Sequence, residues 1–256
     1  MRVSVLAITR GIFTVLLAAC AHVGAAASSA RHLSMVATEF PPYTASNVAE
    51  QGLVSAIARA AFRVAGYDTS LVIEPWARAL AEVKHGAFDV LLAVWYQPER
   101  EQFMAFSDPL WTNQIGFYGL RSKSINVSSL KSLSPYTIGV VKDYANPADF
   151  DAAHLKTEAS VDDLTNIRKL AAGRVDLALV DKTLGQFLLR NEAHNVAGKL
   201  QWLDPAVASV PLYITISKSR PGYEHIVADF NRGLAELRRT GEYERIVRRI
   251  MPEAAP

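Results

Sequence analysis

One cysteine, Cys20, stands in 256 residues. It can form no intramolecular disulfide, so the fold must be held by a hydrophobic core. The six histidines, His22, His32, His85, His154, His194 and His225, are scattered. None has an i, i+4 partner or a carboxylate at metal spacing, which argues against a zinc site, and no metal is expected. There is no Walker loop, no Gly-x-Gly-x-x-Gly and no Gly-x-Ser-x-Gly, so nucleotide chemistry and serine hydrolysis have no support and no cofactor is expected. Lysine and arginine form no block. With Arg2 and Arg10 set aside, basic and acidic residues number 25 each, which leaves nucleic acid and polybasic membrane contact without support.

What is present begins with an export signal. Arg2 and Arg10 precede the apolar run Ile12 to Ala19, too short for a permanent membrane span, and the small-residue stretch Ala25 to Ala30 follows. Residues 1–30 are therefore read as a signal peptide and the mature protein as periplasmic. Two cleavage positions fit. Leu17-Ala18-Ala19-Cys20 looks like a bacterial lipobox, and a cut before Cys20 would leave a lipid on it; a cut near Ala27 or Ala30 would discard it. The remaining chain, 50% hydrophobic and 20% charged overall, is ordinary for one large or two small globular domains.

A heptapeptide echo organises that remainder. Gly86-Ala87-Phe88-Asp89-Val90-Leu91-Leu92 and Gly173-Arg174-Val175-Asp176-Leu177-Ala178-Leu179 each end an apolar-striped helix at a glycine and lead into a continuous apolar run, the signature of a strand buried on both faces. Arg100 follows the first copy and Asp181 the second. Two lobes facing each other across the carboxyl ends of such strands would offer one small molecule a cation and an anion. Asp89 and Asp176 read as residues that bond local backbone.

The first lobe reads β-α-β-α-β, hence a parallel sheet with right-handed crossovers. Its strands are Leu33 to Thr38, Leu71 to Ile73 and Val90 to Val94. Its helices are Gly52 to Ala65, with Leu53, Ile57, Ala61 and Val64 on the apolar face, and Trp76 to His85. The second has strands at Tyr136 to Val141 and Leu177 to Val180, and a helix from Asp162 to Ala172 capped by Ser160 or Asp162. Ile115 to Leu120 and Leu212 to Ser217 read as crossings between lobes. The amphipathic pattern from Tyr223 to Met251 then returns to the first lobe. The predicted division is residues 31–118 with 214–256 for lobe 1 and 119–213 for lobe 2.

These residues resemble the bacterial extracellular solute-binding proteins of family 3, the polar amino-acid-binding components of ABC importers, with a type II periplasmic binding fold. The resemblance rests on the loop Phe40-Pro41-Pro42-Tyr43, on Gln97-Pro98-Glu99-Arg100-Glu101 followed by Phe106-Ser107-Asp108-Pro109-Leu110, on Gly173-Arg174-Val175-Asp176 leading to Asp181, and on the tail Phe230-Asn231 to Ile246. It implies that Arg100 forks onto a ligand carboxylate, that Asp181 holds an α-ammonium, and that Phe40 and Trp76 stack on the ligand. The chain departs from the family where Trp95-Tyr96 replaces small hydroxyl residues and Asp143-Tyr144-Ala145 replaces a Gly-Thr pair, so these too are candidate contacts. Arg78 either adds a second cation or points to solvent.

The expectation is a monomeric, non-enzymatic binding protein that delivers an amino acid or small carboxylate to an ABC permease. Two other classes fit the scaffold. One is an enzyme like cyclohexadienyl dehydratase, with Asp143 or Asp181 as general acid or base. The other is a ligand-sensing module for a separate signalling chain.

Overall fold

A computed structural model describes residues 31–252; the segment read as a signal peptide, with Cys20, lies outside the described residues. The first half runs β1 (Arg31–Ala37), α1 (Leu53–Val64), β2 (Tyr67–Ile73), α2 (Trp76–Lys84), β3 (Val90–Trp95), β4 (Met104–Phe106) and β5 (Trp111–Leu120). The chain continues through β6 (Ile138–Val141), α3 (Ala148–Ala152), β7 (Thr157–Ser160), α4 (Asp163–Ala171), β8 (Leu177–Asp181), α5 (Lys182–Asn191) and α6 (His194–Ala197). It closes with β9 (Leu200–Ser217), α7 (Tyr223–Arg239) and α8 (Glu242–Ile250). No helix among the described residues is long and apolar enough to cross a membrane.

The strands hydrogen-bond in the order β2-β1-β3-β9-β5-β8-β6-β7, with β4 also on β9. Each end of the sheet is parallel: β1 with β2 and β3, and β6 with β7 and β8. Between them β5 and β9 form an antiparallel ribbon that pairs from Trp111 opposite Leu212 to Leu120 opposite Leu200. The crossing segments are thus longer than their apolar patterns suggest. The early part of β9 contains Asp204-Pro205 and polar residues that hide a strand from any apolar count.

The echoed glycines occupy the left-handed conformation that ends a helix, Gly86 at φ 76° and Gly173 at φ 70°. The strands that follow, β3 and β8, are buried along almost their whole length. Helix α1 rolls as it crosses the sheet. Leu53, Ile57 and Ala61 are buried, but so are Val54, Ala58 and Phe62, whereas Val64 is exposed at the far end. The C-terminal helix pattern is two helices rather than one. Thr240 Oγ1 donates to the carbonyls of Glu236 and Leu237, and Gly241 at φ 71° turns the chain. Helix α7 lies so close to α1 that a Cβ added at Gly233 would stand 2.2 Å from the carbonyl oxygen of Ala61. This contact, with Phe62 and Phe230 rings 5.0 Å apart, fixes the tail to the first half of the sheet.

Candidate functional site

The carboxyl ends of β1, β3 and β6 point into one crevice, where ligands of parallel α/β sheets bind. There a cavity of about 20 Å³ is lined by Phe40, Trp76, Trp95, Arg100 and Tyr144, with Thr38, Ala93 and Ala145 between them. That is room for about one water. Phe40 comes from a tight turn after β1, closed by Phe40 N–H to the Thr44 carbonyl at 2.7 Å. Ala93 sits at φ 57° within β3, where the pairing with β9 slips between Leu91 and Val94. This bulge re-aims the end of the strand into the crevice.

Arg100 lies on a single helical turn, Pro98–Gln102, and is 4% exposed. Its Nη1 donates to the Trp95 carbonyl at 2.8 Å and its Nη2 to the Asp143 carbonyl at 3.5 Å, and its guanidinium carbon stands 5.1 Å from the Trp76 ring centre. Burial lowers its pKa to about 10, with Glu99 pulling the other way, so it remains a cation at neutral pH. Carbonyls, not carboxylates, are its hydrogen-bond acceptors among the described residues. The rings around it meet edge to face: Phe40 with Trp95 at 6.0 Å, Trp76 with Tyr144 at 5.8 Å and Trp95 with Tyr144 at 6.0 Å. Phe40, Trp76, Trp95, Arg100 and Tyr144, all singled out in the sequence, therefore meet in one place.

Four candidates do not line this cavity in the expected way. Asp181 is 1% exposed and caps α5: its Oδ1 accepts from the Leu184 amide at 2.8 Å and the Tyr43 hydroxyl at 3.1 Å. Tyr43 thus stands where a ligand ammonium was expected. Asp143 turns its side chain outward and only its carbonyl inward, to Arg100 and to Trp76 Nε1 at 2.9 Å. Tyr96 is 46% exposed because the strand alternation that brings Trp95 in sends it out, onto Phe106 at 5.1 Å. Arg78 is on the outer face of α2, paired with Glu74 at 3.2 Å and Glu82 at 2.9 Å, the solvent-facing alternative of the two. Asp89 and Asp176 bond the backbone amides of Ser34 and Thr137.

Behind the aromatic wall Asp181 joins polar residues that the sequence does not mark as parts of a site. Trp95 Nε1 donates to Asn113 Oδ1 at 2.8 Å, while the Asn113 amide nitrogen and Asp181 Oδ2 are buried without partners. Tyr43 completes the group, its phenol pushed well above its ordinary value by burial and then by the Asp181 charge. Burial raises Asp181 to about 6 against the pull of the Leu184 amide and the Tyr43 hydroxyl. Close by, Asp163 is 7% exposed and rises to about 8, first through burial and then through the charges of Asp181 and Asp162. The Asp162-Asp163 doublet was the available clue: one carboxylate caps α4, accepting from Thr165 at 2.7 Å, so the next must go elsewhere.

Solved structures share this architecture. A histidine kinase sensor domain similar to periplasmic binding proteins superposes with a TM-score of 0.75 at 22% identity, over 86% of this chain and 96% of that one. The substrate-binding protein of an amino acid ABC transporter gives 0.72 at 18%, over 86% and 99%. An ancestral amino acid-binding protein, a precursor of cyclohexadienyl dehydratase, gives 0.69 at 16%, over 85% and 94%. These likenesses establish the two-lobed type II periplasmic binding fold. No curated protein sequence is similar enough to be matched. The sequence profile of the bacterial extracellular solute-binding proteins, family 3, matches residues 34–253, nearly everything beyond the first thirty residues. The chain belongs to that family.

Proposed function

We propose that this chain is a periplasmic binding protein that captures a small zwitterionic or carboxylate-bearing ligand between lobe 1 (31–118 with 214–256) and lobe 2 (119–213), and delivers it as a monomer to an ABC importer. It performs no chemistry on the ligand. The observation that carries this is Arg100: a cation 4% exposed, at an interlobe cavity, with carbonyl acceptors where a buried charge calls for an anion. A ligand carboxylate supplies that anion and draws the lobes together by differential contact.

Isothermal titration of the purified protein with a panel of amino acids and small carboxylates tests this. One panel member binds one to one, and Arg100→Ala weakens it by about 3 kcal/mol, roughly 100-fold. Undiminished affinity in that variant would remove Arg100 from the site. The likeness to a histidine kinase sensor domain supports a second reading, in which the same capture is reported to a separate signalling chain. Ligand uptake measured in cells with and without the gene separates the two, because only an importer component changes the rate of entry.

A further inference from the structure

Two donors in the cavity converge on one oxygen. The Trp76 indole N–H gives to the Asp143 carbonyl at 2.9 Å, and Arg100 Nη2 reaches the same oxygen at 3.5 Å. Asp143 directs that carbonyl from the left-handed region, φ 62°. The next residue, Tyr144, places its ring against both indoles, at 81° to Trp76 and 78° to Trp95. The cavity therefore already grips a carbonyl oxygen and, three atoms further along the chain, a six-membered aromatic ring, both supplied by the protein itself from the turn after β6.

We propose that Asp143 and Tyr144 stand in for the ligand, which is a small aromatic monocarboxylate lacking an ammonium group. Its carboxylate displaces the Asp143 carbonyl from Arg100 and Trp76, and its ring displaces Tyr144 from between the indoles. This rests on the reading above that Arg100 receives a ligand carboxylate, and narrows it to a substrate class.

The argument against an ammonium is one of acceptors. Asp181 does not line the cavity, and its Oδ1 is engaged by Leu184 and Tyr43. A ring face can attract an ammonium, but the guanidinium of Arg100 already stands over Trp76 at 5.1 Å. A second cation would lose its water, find no counter-charge and meet a like charge. A neutral ring loses nothing by entering a wall of rings and methyl groups, and gains edge-to-face contact.

Isothermal titration of the purified protein with benzoate, phenylacetate, L-phenylalanine and L-arginine decides it. Benzoate or phenylacetate binds at least about tenfold more tightly than either amino acid, a difference of about 1.4 kcal/mol. Trp76→Phe keeps an aromatic ring and removes the N–H, and weakens that acid about tenfold. Tyr144→Ala removes the internal competitor and tightens it. Arg100-dependent binding of an amino acid in preference to both acids overturns the substrate class and leaves the solute-binding reading standing. Weaker acid binding in Tyr144→Ala overturns the displacement. Silence from all four probes overturns the inference, and the wider panel above still decides the reading on which it rests.

Discussion

Asp163 should make the protein less stable as the pH rises through neutrality. Its folded-state pKa is raised to about 8 from an unfolded value near 3.8, with burial as the first cause. Between those values the folded state holds a proton that the unfolded chain has released. The unfolded state then binds fewer protons, and stability falls with pH by about 1.4 kcal/mol per unit. From pH 5 to pH 7 this group alone removes on the order of 3 kcal/mol, a large share of a typical net stability. The loss is absent below pH 3.8, where both states are protonated, and levels off above 8, where both are ionised. Asp181, raised to about 6, adds to the slope between 3.8 and 6 only. Asp163→Asn keeps the shape and removes the charge, so the variant should match the parent near pH 4 and exceed it by about 4 kcal/mol at pH 7. Urea unfolding followed by circular dichroism at pH 4, 5, 6, 7 and 8 measures both curves. Parallel curves would refute the reasoning, since they would mean that Asp163 ionises as freely in the folded protein as in the unfolded one.

Other perturbations test the packing and the site boundaries. Gly233→Ala forces a methyl onto the Ala61 carbonyl at 2.2 Å and should cost about 3 kcal/mol in urea unfolding as α7 and α1 separate. Trp95→Phe leaves Asn113 Oδ1 buried without its 2.8 Å donor and should destabilise by about 1–3 kcal/mol, visible as a lower melting temperature. Arg78→Ala removes a solvent-facing guanidinium from beside the half-buried Glu74 and Glu82, so the melting temperature should barely move and titrations should be unchanged. An altered ligand affinity in that variant would return Arg78 to the cleft.

Much of this architecture was legible because it rests on local rules. Continuous apolar runs after Gly86 and Gly173 mark β3 and β8, since strands covered on both faces need no polar alternation. Other elements were partly hidden for physical reasons. β2 alternates buried and exposed residues at the sheet's edge, so its apolar portion Leu71 to Ile73 marks only its end. Arg100 was accessible through the residues around it, Phe40 and Trp76 through the family resemblance, and Trp95 and Tyr144 through their departure from the family's pattern. The burial of Asn113 and Tyr43 was not, because their environment is made by surfaces far apart in the chain. Tyr43 and Asp181 are separated by 138 positions, and no local pattern announces that a phenol will cover a carboxylate.

The β5–β9 ribbon has a mechanical consequence. Because both halves hang from one pair of hydrogen-bonded strands, any widening of the crevice must be taken up as a change of twist along that ribbon, much as a torsion bar stores rotation without coming apart. Amide exchange should therefore stay slow along Trp111–Leu120 even while the Tyr43 phenol and the Asp181 carboxylate are parting company.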